Sequence, residues 1–191
     1  MTPAAISAFL SQLDREIWLV TAQAGPRRGG LAAIWVSAAS IVPHLPRVLV
    51  GIAKQHHTWE LIETSHAFAL HLLGEEHLDW VWRFGLRSGR DTDKLAGLAT
   101  QTGATGTPLL PDALAWLDCR VEARLDTGDR TVYLAEVVAG AQQRTAPPLT
   151  TRRMVQLAPA EKLVELREGL ERDARVDAAA IEAWRGRNRD Q

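Results

Sequence analysis

Between Leu117 and Leu125 every odd-numbered residue is apolar and every even-numbered one is charged: Asp118, Arg120, Glu122 and Arg124 alternate with Leu, Cys, Val, Ala and Leu. Nine residues of period two reward one arrangement, a strand with one face on a core and the other in water. The turn Asp126-Thr127-Gly128-Asp129-Arg130 follows, and Thr131 to Val138 is a second β-run. The segment therefore predicts a long antiparallel hairpin.

Other β-runs surround it. Ile17 to Ala22, the turn Gly25-Pro26-Arg27-Arg28-Gly29-Gly30 and a run opening at Leu31 predict a first hairpin. Arg47 to Ala53 lies beyond a Pro43-His44-Leu45-Pro46 corner, Ala67 to Leu72 returns to strand, and a last short strand is expected near Met154 to Leu157. Helical pattern is confined to short pieces and the ends: Ala4 to Leu13, Trp59 to Glu63 with Thr58 as N-cap, Glu75 to Phe84, and a long stretch from Pro159 to Trp184. Gly97 to Pro111, rich in Gly, Thr and Pro, predicts a loop. Six or seven strands without regularly alternating helices argue against a doubly wound parallel sheet. The expected fold is mainly β, a split or closed antiparallel barrel with short peripheral helices and a C-terminal helix. The expected division is a barrel domain over 1–157 and a helical extension over 158–191, packed on the barrel or on a dimer.

Several functions are argued against by what the chain contains. A formal net charge of −1 over 191 residues gives no broad pull toward nucleic acid or an acidic membrane. The apolar stretch Leu31 to Val42 is shorter than the ~20 residues a spanning helix needs. The N-terminus lacks a basic run before an apolar core, and Cys119 has no partner for an internal disulfide, so a cytoplasmic location is expected. The six histidines show no zinc spacing, and neither Gly-x-Gly-x-x-Gly nor Gly-x-Ser-x-Gly occurs, so no metal site and no catalytic dyad is expected.

Four segments carry the chemistry that remains. Trp35-Val36-Ser37-Ala38-Ala39-Ser40 puts small residues and hydroxyls where backbone groups could approach a flat ring; it equally fits a strand packed on a helix. Ala53-Lys54-Gln55-His56-His57-Thr58 leads into a helix N-terminus, where a phosphate would meet free N–H groups, a hydroxyl and an ammonium; a plain helix cap reads the same way. Phe84 to Lys94, with Ser88 and Arg90, is a glycine-punctuated cationic loop, either a second anion clamp or solvated surface. Gly128-Asp129-Arg130 is explained as a turn without any function.

In order and spacing these pieces resemble the flavin reductase-like family, the FMN-binding split barrels, from about Trp18 to about Val155. The carriers are Leu19-Val20-Thr21, residues 35–40 before a proline corner, Arg47 to Val50, Lys54 to Thr58 before Glu60-Leu61-Ile62, Ala67 to Leu73, Phe84 with Asp93-Lys94, Leu117 to Val121, Gly128-Asp129 and Pro148-Leu149. The resemblance implies a homodimer with FMN near the interface, FAD being the alternative flavin. It implies that Trp35, Val36, Ser37, Ala38, Ala39 and Ser40 line the ring. Ala53, Lys54, His57 and Thr58 would hold the phosphate end, and Phe84, Ser88, Arg90 and Lys94 would close over it. Gly128 and Asp129 match the start of a Gly-Asp-His turn near the nicotinamide, with Arg130 in the histidine's place. The implied activity is NAD(P)H-dependent flavin reduction, in which the cofactors carry the chemistry and a partner monooxygenase can receive the reduced flavin. The Arg130 substitution keeps open an FMN-binding electron carrier or sensor without efficient NAD(P)H oxidation, and a barrel without cofactor is a third reading.

Overall fold

The computed structural model describes residues 1–188, which form nine strands and five α-helices. Strands β1 (Trp18–Ala24) and β2 (Arg27–Ala33) make the first hairpin, β3 is Val36–Ala38, β4 is Arg47–Ala53 and β5 is Ala67–Leu72. Two-residue strands β6 (Gln101–Thr102) and β7 (Pro108–Leu109) pair within the loop expected over 97–111. The long hairpin is β8 (Ala115–Asp126) and β9 (Arg130–Gln142). The helices are α1 (Pro3–Leu10), α2 (His57–Ser65), α3 (Leu78–Gly85), α4 (Thr151–Leu157) and α5 (Ala160–Asn188). None of the helices among the described residues is long and apolar enough to cross a membrane.

Seven strands form one antiparallel sheet in the order β2-β1-β5-β8-β9-β4-β3. Its two edge strands, β2 and β3, are joined by Ile34 and Trp35 alone. Three peptide steps reach at most ~10 Å, so the edges of a seven-stranded sheet must curl round to meet. The Trp35 carbonyl also accepts a hydrogen bond from the Gly51 N–H of β4 at 3.0 Å. The result is the split antiparallel barrel that the strand pattern predicts. Val20, Leu31, Val50, Ile52, Phe68, Leu70, Cys119 and Tyr133 fill it, with Leu61 and Ile62 of α2 completing that cluster. A second cluster joins Ile17, Leu19, Leu73, Val81, Trp82, Phe84, Leu95, Leu110 and Met154 beneath α3 and α4.

Local structure departs from the expected reading at four places. The first turn is tighter than expected: β2 already begins at Arg27, and Gly25 takes φ +58°, the left-handed conformation a two-residue connection needs. Thr58 does not cap α2; the N-cap is His56, whose side chain makes no capping bond, and Thr58 lies buried in the first turn. Residues 154–157 are helix, not strand. Thr150 Oγ1 accepts from the Arg153 N–H at 3.3 Å, and Asp14 accepts from the Arg152 N–H at 2.9 Å, so α4 starts on two side-chain caps. In β8 the strict alternation is interrupted by irregularities at Asp118/Cys119 and Val121/Ala123. Asp118, on the face opposite Leu117 and Cys119, is nonetheless fully buried and accepts from Thr107 Oγ1 and the Thr105 N–H, both at 2.9 Å, while Leu125 is left exposed.

Candidate functional site

A cavity of about 670 Å³ opens between the N-terminus of α2, the end of β2, the segment from α3 to Lys94, α4 and α5. That size is in the usual range for small-molecule sites. Gly30 sets its floor: a Cβ there would lie 2.7 Å from the Val20 carbonyl and 3.1 Å from the Phe84 ring, so only glycine lets β2 and α3 meet this closely. The cavity wall carries His57 and Thr58 from α2, Phe84 from α3, and Ser88, Arg90 and Lys94 from the connection after it. These are the expected phosphate-end residues apart from Ala53 and Lys54.

The His57 side chain is one-tenth exposed, and its Nδ1 is buried with no hydrogen-bond partner. The nearest carboxylate oxygen, Glu60 Oε2, is 4.0 Å away. Burial chiefly lowers the His57 pKa against the pull of Glu60. No side chain caps α2, so its first-turn N–H groups and the positive end of its dipole also face this corner. Arg90 fastens the 86–90 connection onto α2, donating to the Gln55 carbonyl at 2.9 Å and to the Glu60 carboxylate. Gly89 lies against the His57 ring, and Ser88 Oγ accepts from the Arg90 N–H at 3.2 Å.

Other expected cations are spent on the fold. Lys94 donates to the carbonyls of Phe84 (2.9 Å) and Gly30 (3.1 Å), and burial lowers its pKa to about 8. The ammonium of Lys54 pairs with Asp126 at 2.6 Å, while its N–H donates to the Asp129 carbonyl, so Lys54 ties β4 to the hairpin turn. Ala53 is buried core.

Residues 35–40 do not line this cavity; Ile34 beside them does. Val36–Ala38 form edge strand β3, hydrogen-bonded to β4 on one side only. Ser37 and Ser40 use their hydroxyls locally, toward Ala38 O and Val42 N, and Ala39 N–H donates to Arg47 O. The Trp35 ring lies under the Arg130 guanidinium, 4.0 Å from centroid to Cζ. Arg130 Nη2 donates to Asp177 of α5 at 2.7 Å, and its Nε is 3.0 Å from Asp129. Gly128 takes φ +96° directly beneath α5. The hairpin turn and Trp35 are therefore brought together, one layer away from the cavity through Gln55, which lines it and contacts Asp177.

The sequence reading missed the contribution of α5. Leu166, Gly169, Leu170, Arg172 and Asp173 form one wall of the cavity. Leu166 and Leu170 stand out in the sequence as an i, i+4 apolar pair, but their spacing carries no information about which surface they face.

Comparison with known proteins places this architecture. Residues 10–157 match the model of the flavin reductase like domain. The chain belongs to the flavin reductase-like family. Its relatives include diflavin flavoprotein A 1 of Synechocystis sp., 33% identical over 132 residues; the match covers 69% of this chain and only 23% of that protein, so the chain spans under a quarter of the relative's length. Among solved structures, nitrilotriacetate monooxygenase component B from Mycobacterium thermoresistibile superposes with a TM-score of 0.67 at 28% identity, covering 77% of this chain and 83% of that one. A flavin reductase domain protein from Arthrobacter sp. shares the fold with a TM-score of 0.71 at 22% identity, covering 80% and 92%. The family implies a flavin, and the flavin reductase-like cavity fits one. An unpaired buried imidazole nitrogen, an uncapped helix N-terminus and a serine hydroxyl converge at one end of a space lined mainly by apolar groups.

Proposed function

We propose that this chain binds FMN in the cavity at the α2 N-terminus and reduces it with NAD(P)H. The observation that carries the reading is the unpartnered Nδ1 of His57 beside the uncapped first turn of α2. His57, the α2 N–H groups, Thr58 and Ser88 would hold the phosphate, each charge-assisted hydrogen bond contributing roughly 1.5–3 kcal/mol. Arg90 would keep the 86–90 connection closed over that end through Glu60 and Gln55. Phe84 and Ile34 supply apolar wall. The bound flavin would supply the redox chemistry, taking a hydride at N5 from C4 of the reduced nicotinamide and leaving NAD(P)⁺. The same proposal includes a homodimer, supported by Ile41, Leu45 and Leu125, which are more than half exposed around the barrel seam and hairpin. A partner monooxygenase is a natural recipient of the electrons, given the component B relative.

A second reading, an FMN-binding electron carrier without efficient NAD(P)H oxidation, is favoured by Arg130. Its guanidinium is already engaged by Asp177, Asp129 and Trp35, which leaves it ill-placed to grip a nicotinamide nucleotide. The absorbance spectrum of the purified protein, followed by anaerobic addition of NADH and then NADPH, separates the two. Bleaching of a flavin band by either nucleotide supports the reductase; a yellow protein that neither nucleotide bleaches faster than free FMN supports the carrier. A colourless protein that does not bind added FMN rejects both.

A further inference from the structure

α5 runs for 29 residues, yet Asp177 is its only buried residue. Leu170 and Val176 are 60% and 53% exposed. The barrel cluster contains no α5 residue, and the second cluster takes only Leu166 at its margin. Apolar burial therefore does little to fix where this helix sits. It touches the rest of the molecule at three places. Toward its N-terminal half, Leu166, Leu170 and Asp173 stand along the cavity. One turn beyond Asp173, Asp177 Oδ2 accepts from Arg130 Nη2 at 2.7 Å, and Oδ1 accepts from Gln55 Nε2 at 3.4 Å. The same guanidinium is stacked on Trp35. Beyond it the helix lies so close on the hairpin turn that a Cβ at Gly128 would be 2.7 Å from Trp184 Cβ.

A buried carboxylate costs free energy unless it is paired, and a helix with one buried residue has little else to offset that cost. The Asp177–Arg130 pair thus decides whether α5 stays seated, and Gln55 couples that pair directly to the cavity wall. Resting on the flavin reading above, we propose that α5 is a retaining wall for the flavin cleft, latched by Asp177 on Arg130, which makes the flavin a resident group and not a ligand exchanged at each turnover. Asp177 is a positioning residue in this account: it acts through Arg130 and Gln55. A chain built this way delivers electrons to a partner that comes to the flavin, not to one that captures free reduced flavin.

The test uses the full chain and the variants D177N and D177E. FMN-loaded protein is diluted and release followed by recovery of FMN fluorescence; hydrogen exchange over residues 160–188 is measured separately without FMN. Expected for D177N is about tenfold faster release and about tenfold faster α5 exchange, with β1, β5 and β8 unchanged and D177E within about threefold of wild type. Release and α5 exchange at wild-type rates in D177N overturn the latch. Should D177N not fold, R130Q opens the same pair from the barrel side and is read by the same two outcomes. If the wild-type chain does not bind FMN, the flavin reading fails, and unchanged α5 exchange in D177N still overturns the latch on its own.

Discussion

His71 shows how little a residue's type says about its work. It lies fully buried on β5, with Nδ1 3.1 Å from the Leu19 carbonyl and Nε2 3.0 Å from the Leu110 N–H that donates to it. Those two partners define a neutral imidazole, protonated on Nδ1, that bridges two segments of the core. Burial is the main cause that lowers its pKa from 6.5 to about 4. In the unfolded chain the same group takes up its proton near pH 6.5, so the stability it contributes is complete above that pH and is lost as pH falls toward 4. The loss amounts to about 3 kcal/mol by the ~1.4 kcal/mol per pKa unit rule. Urea unfolding at a series of pH values should show this slope in the wild type and a shallower one in His71→Gln. The sequence separates His71 from His57 only by neighbours, Leu70 and Leu72 on a strand against His56 and Thr58 before a helix, and does not say which of the two is left without a partner. The difference is which polar atoms the fold brings to them: both ring nitrogens of His71 are partnered, whereas His57, on the cavity wall, keeps a buried Nδ1 without a partner.

At the scale of elements, β4 and β5 start and stop where the sequence predicts, Arg47–Ala53 and Ala67–Leu72, because β-branched and apolar runs there are bounded by breakers such as Pro46. The stretch after Pro148 was not legible in the same way. Met154-Val155-Gln156-Leu157 suits either strand or helix, and the decision is made by Asp14, 138 residues distant from Arg152, together with the Thr150 cap. Removing that cap tests the account of α4: Thr150→Ala should cost about 1 kcal/mol, read as a lowered urea midpoint with an unchanged m-value. No change in midpoint would mean that Met154 packing alone holds the helix. The alternation in β8 was legible as a strand but not as a face, since β8 carries an extra residue against β9 between Val121 and Ala123 and the loop bearing Thr105 and Thr107 buries Asp118 on the face that alternation assigns to water.

For the whole molecule, the barrel and the cavity beside α2 were readable because the segments that build them keep a recognisable order along the chain. The wall supplied by α5 was not, because the matched family region ends at residue 157 and the helix is positioned by one ion pair from distant residues. The exposed apolar surface belongs to this scale too. Light scattering should return twice the chain mass, and Ile41→Asp with Leu125→Asp should shift the protein toward the monomer; a wild-type monomer would remove the dimer from the proposal. The central claim, that the α2 N-terminus cradles the phosphate of a flavin, is tested most directly by titrating FMN against the wild type and His57→Leu while following quenching of FMN fluorescence. The account predicts saturable quenching by the wild type at about one flavin per chain and roughly tenfold weaker binding, about 1.4 kcal/mol, by His57→Leu. Equal affinity in the two proteins, or no quenching by the wild type, would contradict it.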